Sequence, residues 1–124
     1  MRILDLGCGS GRDLHDWGVM PEDEVTGIDL EGTRLAAAER RFPDRTYLQA
    51  AGEQLPFPDE YFDRVIASVS MPYMRIPRVL SEIHRVLVSG GGLSASLHLP
   101  SFTVGELLHL SIPKPIPRCS DYTS

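Results

Sequence analysis

Seven residues near the start of the chain combine an acid, a thiol and three glycines in one short segment. They run Asp5-Leu6-Gly7-Cys8-Gly9-Ser10-Gly11 and follow a short apolar stretch. Glycines in such a turn allow positive φ angles and a close approach of the backbone to a ligand. A turn that only packs a strand against a helix would use the same residues. The glycines alone therefore leave a ligand-binding loop and a structural turn both open.

The spacing of these glycines indicates which ligands fit. A dinucleotide fingerprint has the pattern GxGxxG, and its third glycine would fall at position 12, where this chain has Arg12. The third glycine is instead Gly11, which gives GxGxG, and the Gly-Lys-Ser/Thr sequence of a P-loop occurs nowhere in the chain. The loop therefore disfavours nucleoside triphosphates and dinucleotides, including the nicotinamide cofactor of a dehydrogenase.

A second acidic residue, Asp29, ends the mostly apolar run Val25-Thr26-Gly27-Ile28-Asp29. A carboxylate at the end of a second strand can accept two hydrogen bonds from a ribose diol. The same residue could instead cap the amino terminus of a following helix, because Asp is a favoured cap. The presence of the glycine loop favours the ribose interpretation.

Apolar runs alternate with helix-forming stretches, and this alternation predicts the elements that position these residues. Strands are expected at Arg2–Leu6, Val25–Ile28, Thr46–Gln49, Phe62–Ser68 and Leu93–Leu99, and helices at Gly11–Gly18, Glu31–Arg41, Pro77–Val88 and Thr103–Leu110. Such alternation predicts an α/β fold: a Rossmann-like, doubly wound, mostly parallel sheet of about five strands with helices on both faces. Ligands of such sheets bind beyond the carboxyl ends of the strands, where the strand order reverses.

The bulk properties fit one soluble domain. The chain has 124 residues, of which 42% are hydrophobic and 23% charged, which is ordinary for a globular protein. We expect a ligand-binding core over residues 1–111 and a proline-rich tail over residues 112–124. The net charge of −5, without a run of Lys or Arg, disfavours nucleic acid as a partner.

The sequence also indicates a cytoplasmic location. No apolar run approaches the roughly 18 residues that span a membrane, and the amino terminus does not resemble a signal peptide, so we expect no membrane association. Cys8 and Cys119 are the two cysteines, and they form neither a metal-ligand spacing nor a disulfide framework.

Four segments, in order, resemble motifs of class I S-adenosylmethionine (SAM)-dependent methyltransferases. Ile3–Gly11 is similar to their first motif and Gly27–Leu30 to the acidic motif that follows. The stretch 53–59 with Phe62-Asp63 resembles the segment before strand four, and Leu80–Gly92 resembles the helix and turn before strand five. The resemblance covers roughly residues 2–99. It is nearest to the diverse subgroup that includes ubiquinone- and menaquinone-pathway methyltransferases, and it implies methyl transfer from SAM to a small-molecule acceptor.

The resemblance implies roles around the methionine part of SAM. The backbone of Gly7, Cys8, Gly9 and Gly11 would line this part of the cofactor. Asp5 would help to hold its ammonium group, directly or through water.

The resemblance also implies roles around the nucleoside. Asp29 would bind the ribose hydroxyls, and Leu30 would pack on the adenine. The backbone near Ala51 and Gly52 would meet the adenine edge, and Ser68, at the end of strand four, would lie near the sulfonium.

Two departures from the family pattern stand out. The family often has Asp-Ala-Glu where this chain has Ala51-Gly52-Glu53, so an acidic acceptor for the adenine amino group is missing. One lost hydrogen bond costs about 0.5–1.5 kcal/mol, which predicts a several-fold loss of SAM affinity.

The second departure concerns the ends of the chain. Family members usually have one or two helices before strand one and two further strands after strand five. Without those strands, strand five would be an exposed edge, which predicts a homodimer or a partner chain along it. A truncated gene product, a shortened reading frame and a module completed by a partner all remain open, and the alternative function is a non-catalytic SAM-fold fragment or interaction module.

No catalytic base is assigned from the sequence. Positioning an acceptor against the methyl group can supply much of the catalysis. His98, at the end of the predicted strand five, is more simply a packed or solvent-facing side chain than a base. Met71-Pro72-Tyr73 does not have the spacing of the Asn-Pro-Pro-Tyr motif of amino-methylating enzymes.

Overall fold

The structure is a computed structural model that describes the backbone of residues 1–70, 75–99 and 102–111 and the side chains of 1–67 and 75–95. In this part of the chain, one sheet contains six strands: β1 (Arg2–Leu6), β2 (Glu24–Asp29), β3 (Thr46–Gln49), β4 (Phe62–Ser70), β5 (Leu87–Leu99) and β6 (Phe102–Ser111). Two α-helices accompany them, α1 (Gly32–Arg41) and α2 (Ile76–Val86), with one 3-10 turn at His15–Trp17. The predicted tail, residues 112–124, lies outside the described residues.

The strands lie in the order β3-β2-β1-β4-β5-β6. The first five pair in parallel, and β6 runs antiparallel to β5. The order reverses between β1 and β4, at the centre of the sheet. The predicted Rossmann-like, doubly wound and mostly parallel sheet is therefore confirmed, and its ligand edge is the one at which β1, β2 and β4 end.

The pleat of the sheet separates two cores. Successive side chains point to opposite faces, so Leu4 and Val65 lie in a cluster with Val79, Ile83 and other residues of α2. These residues recur along α2 at helical spacing, with Pro77 in its first turn. Leu14 packs on the other face.

The other helix covers that second face. The hydroxyl group of Tyr47 donates a hydrogen bond to the carbonyl of Ala38 in α1, 3.2 Å away. Tyr47 stands opposite Gly27 of β2, whose own neighbour in β1 is Asp5. The two helices therefore pack on opposite faces of the sheet, as predicted.

The helix predicted over Gly11–Gly18 is wrong, because the structure forms a single 3-10 turn there. The φ angles of Gly11 and Gly18 are +93° and +79°, which no right-handed helix can include. The carboxylate of Asp13 accepts a hydrogen bond from the amide of His15 at 2.9 Å and competes with a helical turn.

The helix predicted over Thr103–Leu110 is also wrong, because these residues belong to β6. The backbone of β5 offers an unpaired ladder to this segment, and pairing with it overrides a weak local helix preference. Because β4 and β6 occupy both sides of β5, the expectation of a dimer or partner chain along an exposed β5 edge is overturned.

Smaller differences concern boundaries. Asp29 belongs to β2, and β4 continues two residues further than predicted, to Ser70. The strand β5 begins at Leu87, directly after α2. Within the described residues, neither helix is long and apolar enough to cross a membrane.

Candidate cofactor site

The glycine loop is joined to the end of β2 by its backbone. The amides of Gly7 and Cys8 both donate to the carbonyl of Ile28, each at 2.9 Å. In the sheet, Leu6 stands opposite Ile28, so the loop turns over the neighbouring strand as soon as β1 ends. The structure therefore brings the glycine loop and Asp29 together at the ligand edge, as the sequence predicted.

The three loop glycines all have positive φ angles, but their surroundings differ. The angles are +75° at Gly7, +58° at Gly9 and +93° at Gly11. A methyl group added at Gly9 would meet no atom within 4 Å, whereas one at Gly11 would lie 3.0 Å from Cδ2 of Phe42. Gly9 therefore leaves its backbone open to approach, and Gly11 permits close packing of the loop on α1.

The carboxylate of Asp29 connects the glycine loop to the start of α1. Its Oδ2 atom accepts a hydrogen bond from the amide of Gly9, and its Oδ1 atom accepts one from the amide of Glu31, both at 3.0 Å. Glu31 is the residue at the amino cap of α1, and its own side chain makes no capping hydrogen bond. Asp29 is therefore not the helix cap. A carboxylate can accept about four hydrogen bonds, so each oxygen keeps capacity for a ligand hydroxyl.

Asp5 lies beneath the loop and is only 1% exposed. Its Oδ1 atom is paired with the guanidinium of Arg12, whose Nε lies 3.0 Å away. Burial raises the pKa of the Asp5 carboxyl, and the charge of Arg12 opposes that shift. The Oδ2 atom is buried and has no hydrogen-bond partner among the described residues.

Arg12 is a charged residue at the glycine loop that the sequence motifs did not indicate, because position 12 only excludes a dinucleotide fingerprint. Its side chain is 24% exposed, in contrast to that of Asp5. The guanidinium also lies 3.5 Å from the carbonyl oxygen of Gly7. The opposite charges of Asp5 and Arg12 at the two ends of one short loop were the available signal. Of the two charged side chains at this loop, Arg12 is therefore the more exposed, and Asp5 is buried.

The thiol of Cys8 points into the protein and leaves only its backbone for a ligand. Cys8 is 5% exposed, and its Sγ atom lies 3.0 Å from the position that a Cβ of Gly27 would take. Burial, with the nearby charges of Asp5 and Asp29 as lesser causes, raises the pKa of this thiol to about 12.

This shift predicts an unreactive thiol and a loss of stability in alkali. At pH 9 the folded protein should be alkylated at Cys8 by iodoacetamide about a hundredfold or more slower than the urea-unfolded chain, because the thiolate is the reactive form. The unfolded chain releases the thiol proton near pH 9 and the folded one near pH 12, so stability should fall as pH rises through this interval. Peptide-level mass spectrometry measures the rate at Cys8, and equal rates in both states would contradict the prediction.

The expected adenine side of the site lies next to Asp29. Leu30 is 56% exposed, and its carbonyl accepts a hydrogen bond from the side-chain amide of Gln49 at 2.9 Å. The amide of Ala50 donates to the carbonyl of Asp29 at 3.1 Å, which places the following Ala51 beside the end of β2. The structure thus brings Asp29, Leu30 and Ala51 to one region.

Gly52 is held by close packing of the backbone on the core. It is buried, and a methyl group there would lie 3.4 Å from side-chain atoms of both Leu6 and Val79. The segment before β4 is therefore fixed against β1 and α2, at the same end of the sheet as the glycine loop.

The remaining candidates can be placed only in part. The backbone of Ser68 lies in β4 opposite Ser96, and that of His98 lies in β5 opposite Ser70. Their side chains lie outside the described residues, as does the whole of Tyr73. Among the described residues, no group of His, Cys, Asp and Glu side chains could hold a metal ion.

Comparison with known proteins gives a consistent result. The sequence model of a family described as a methyltransferase domain matches residues 4–95. The chain is 40% identical over 98 residues to a demethylmenaquinone methyltransferase of Symbiobacterium thermophilum, covering 72% of this chain and 39% of that protein. It is 36% identical over 115 residues to a phthiotriol/phenolphthiotriol dimycocerosates methyltransferase of Mycobacterium leprae, covering 85% and 40%.

Solved structures agree with these sequence matches. A SAM-dependent methyltransferase from Mesorhizobium loti superposes with a TM-score of 0.68 at 32% identity, over 80% of this chain and 47% of that one. The chain spans about two fifths of the length of the two curated relatives. The family match nonetheless includes the glycine loop, Asp29 and the whole of α2, and the chain belongs to the methyltransferase domain family.

Proposed function

We propose that this chain binds SAM at the ligand edge of its sheet and transfers the methyl group to a small-molecule acceptor. The observation that carries the proposal is the geometry of Asp29. Both oxygens of this carboxylate are fixed by backbone amides, 3.0 Å away, from the two segments that border the site. A carboxylate fixed in this way is ready to accept hydrogen bonds from the two hydroxyl groups of a ribose.

The described residues fit the chemical parts of SAM. The open space over Gly9 allows the methionine part to approach the loop backbone, which Gly7, Cys8 and Gly11 complete. Asp29 would hold the ribose, and the exposed side chain of Leu30 would cover one face of the adenine.

Three further positions complete the proposed site. Ala51 and Gly52 would offer backbone groups to the adenine edge, and Ser68 would lie near the sulfonium. At Ala51 the chain has no acidic acceptor for the adenine amino group, so the affinity should be lower by several-fold than with an acid there.

Asp5 would support the site from below the glycine loop, without direct contact with SAM. Its buried carboxylate orients Arg12, and a contact with the ammonium group of SAM would have to pass through a bridging donor on the unpartnered Oδ2 atom. The sulfonium of bound SAM supplies an electrophilic methyl group and leaves as a neutral thioether. The protein's own contribution would be to hold the acceptor in line with that methyl group and to exclude water.

The family match and the names of the relatives favour an enzyme over a non-catalytic fragment or interaction module. The relatives named above are methyltransferases of demethylmenaquinone and of phthiotriol/phenolphthiotriol dimycocerosates. Both names describe small molecules, and we take this acceptor class as the proposal for this chain. The release of S-adenosylhomocysteine in the presence of demethylmenaquinone or phenolic acceptors would measure the transfer.

Calorimetric titration of SAM into the purified chain tests the binding step. Saturable heat is expected for SAM and S-adenosylhomocysteine, and none for NAD⁺, because the loop has the GxGxG spacing. In a thermal melt, SAM at one hundred times its dissociation constant should stabilise the folded protein by about 2.7 kcal/mol. The absence of heat and of any thermal shift at millimolar SAM would refute the proposed function for this chain.

A further inference from the structure

In the connection between β1 and β2, two backbone carbonyl groups accept hydrogen bonds from arginine side chains that lie far away in the sequence. Nη1 of Arg41 donates to the carbonyl of Gly11, and Nη1 of Arg45 donates to the carbonyl of Arg12, both at 2.9 Å. If a helix began at the glycine loop, these carbonyls would accept bonds from amides four residues further along. The amide of His15 instead bonds to the side chain of Asp13. Two arginine side chains therefore supply donors that a helix would otherwise provide.

The same two arginines lie close to an aromatic ring that packs against the loop. The guanidinium carbon of Arg45 lies 3.9 Å from the ring centroid of Phe42, and that of Arg41 lies 5.4 Å from it. Cations over an aromatic face are attracted by its quadrupole. The edge of this ring lies 3.0 Å from the position that a Cβ of Gly11 would take. We call Arg41, Phe42 and Arg45 the arginine clamp.

The clamp and Asp29 hold opposite ends of the glycine loop. Asp29 accepts the bond from the amide of Gly9, and the clamp holds the carbonyls of Gly11 and Arg12. Between them the amide of Gly11 donates to the carbonyl of Cys8 at 3.1 Å. Asp29 lies in β2, three residues before α1 begins, and Arg41 is the last residue of α1, so the two ends of the loop are held by residues near the two ends of this helix.

We propose that Arg41 and Arg45 are positioning residues of the cofactor site, which keep the carboxyl end of the glycine loop in the conformation that binds SAM. The inference rests on the proposed function for its ligand, but the clamp itself can be measured in the ligand-free protein. If the loop adopts its binding conformation for only a fraction of the time, the apparent dissociation constant equals the intrinsic one divided by that fraction. Neither arginine has to touch the ligand for this effect.

The test uses Arg41→Met and Arg45→Met, with Arg40→Met as the matched control. Arg40 lies on the same helical turn, is exposed, and its charge lies in the same last turn of α1. In the clamp variants, amide hydrogen exchange should rise over residues 7–13 and stay unchanged in β1 and β4. Because a lost hydrogen bond is worth about 0.5–1.5 kcal/mol, the dissociation constant for SAM should rise about two- to tenfold for each variant. Arg41→Lys and Arg45→Lys, which keep a donor, should recover part of the affinity.

Several outcomes would overturn the inference. Exchange over residues 7–13 that is unchanged in both clamp variants would show that the loop does not need these arginines. Exchange that rises equally through the core strands, or an equal loss in Arg40→Met, would show a general effect of charge or stability. If the wild-type chain gives no heat with SAM, the proposed function fails, and the exchange measurement still decides whether the clamp holds the loop.

Discussion

Replacement of Gly11 by alanine is expected to destabilise the protein by about 2–6 kcal/mol, from backbone strain of about 1–3 kcal/mol and overpacking of about 1–3 kcal/mol. The φ angle of Gly11 is +93°, outside the range that an alanine adopts without strain. The added methyl group would lie 3.0 Å from Cδ2 of Phe42 and 3.3 Å from the Cα atom of Ala38. The backbone of Ala38 belongs to α1 and cannot move without displacing the helix.

Gly9→Ala is the matched control for this substitution. Gly9 also has a positive φ angle, +58°, but a methyl group there meets no atom within 4 Å. Only the cost of the left-handed conformation remains, about 1–2 kcal/mol. Urea unfolding of both variants measures the difference. Equal losses of unfolding free energy would contradict the packing role assigned to Gly11. In the proposed site, Gly9→Ala should weaken SAM binding, because its methyl group fills the space that the ligand needs.

The sequence predicted the five parallel strands well because each of them carries a local signature. The apolar runs at Arg2–Leu6 and Phe62–Ser68 are bounded by turns, and α2 shows apolar residues at helical spacing. Parallel order then follows from the general handedness of strand–helix–strand connections. The glycine loop and Asp29 could be placed together because both end neighbouring strands.

The connection after the glycine loop could not be predicted in this way. Leu14 and Trp17 have the three-residue spacing of a helix, and no local pattern distinguishes the 3-10 turn that forms. The donors that replace a helix come from Arg41 and Arg45, about 30 positions away in the sequence. The outcome is set by tertiary contacts, which override local preference.

The formation of β6 and the burial of Asp5 also depend on tertiary contacts that the local sequence does not show. The residues of β6 become a strand because β5 offers its unpaired backbone, and that partner is not visible in the local sequence. Asp5 could be placed at the end of β1 from its position alone. Its burial and its pairing with Arg12 depend on how the loop folds back over the strand, which the position of Asp5 in the sequence does not reveal.

Asp29→Ala is expected to raise the dissociation constant for SAM by about tenfold or more, because a hydrogen bond to a charged group contributes about 1.5–3 kcal/mol. The variant also removes the acceptor of the Gly9 and Glu31 amides, so it should lower the melting temperature of the ligand-free protein. Binding must therefore be measured at a temperature at which the variant is fully folded. Glu31→Ala, two residues further and exposed, is the control and should bind SAM like the wild type.

A second ligand separates contact with the ribose from support of the loop. If Asp29 acts through the ribose hydroxyls, Asp29→Ala should lose most of its effect when the ligand is 2′,3′-dideoxy-S-adenosylhomocysteine, which has no diol to bind. If Asp29 only orders the glycine loop through Gly9, the loss of affinity will be the same for both ligands, because both need the loop. Equal losses would refute the ribose contact and leave Asp29 with a positioning role like that of the arginine clamp. The two roles act through different atoms of the ligand, so calorimetry with the two ligands and two proteins is sufficient to separate them.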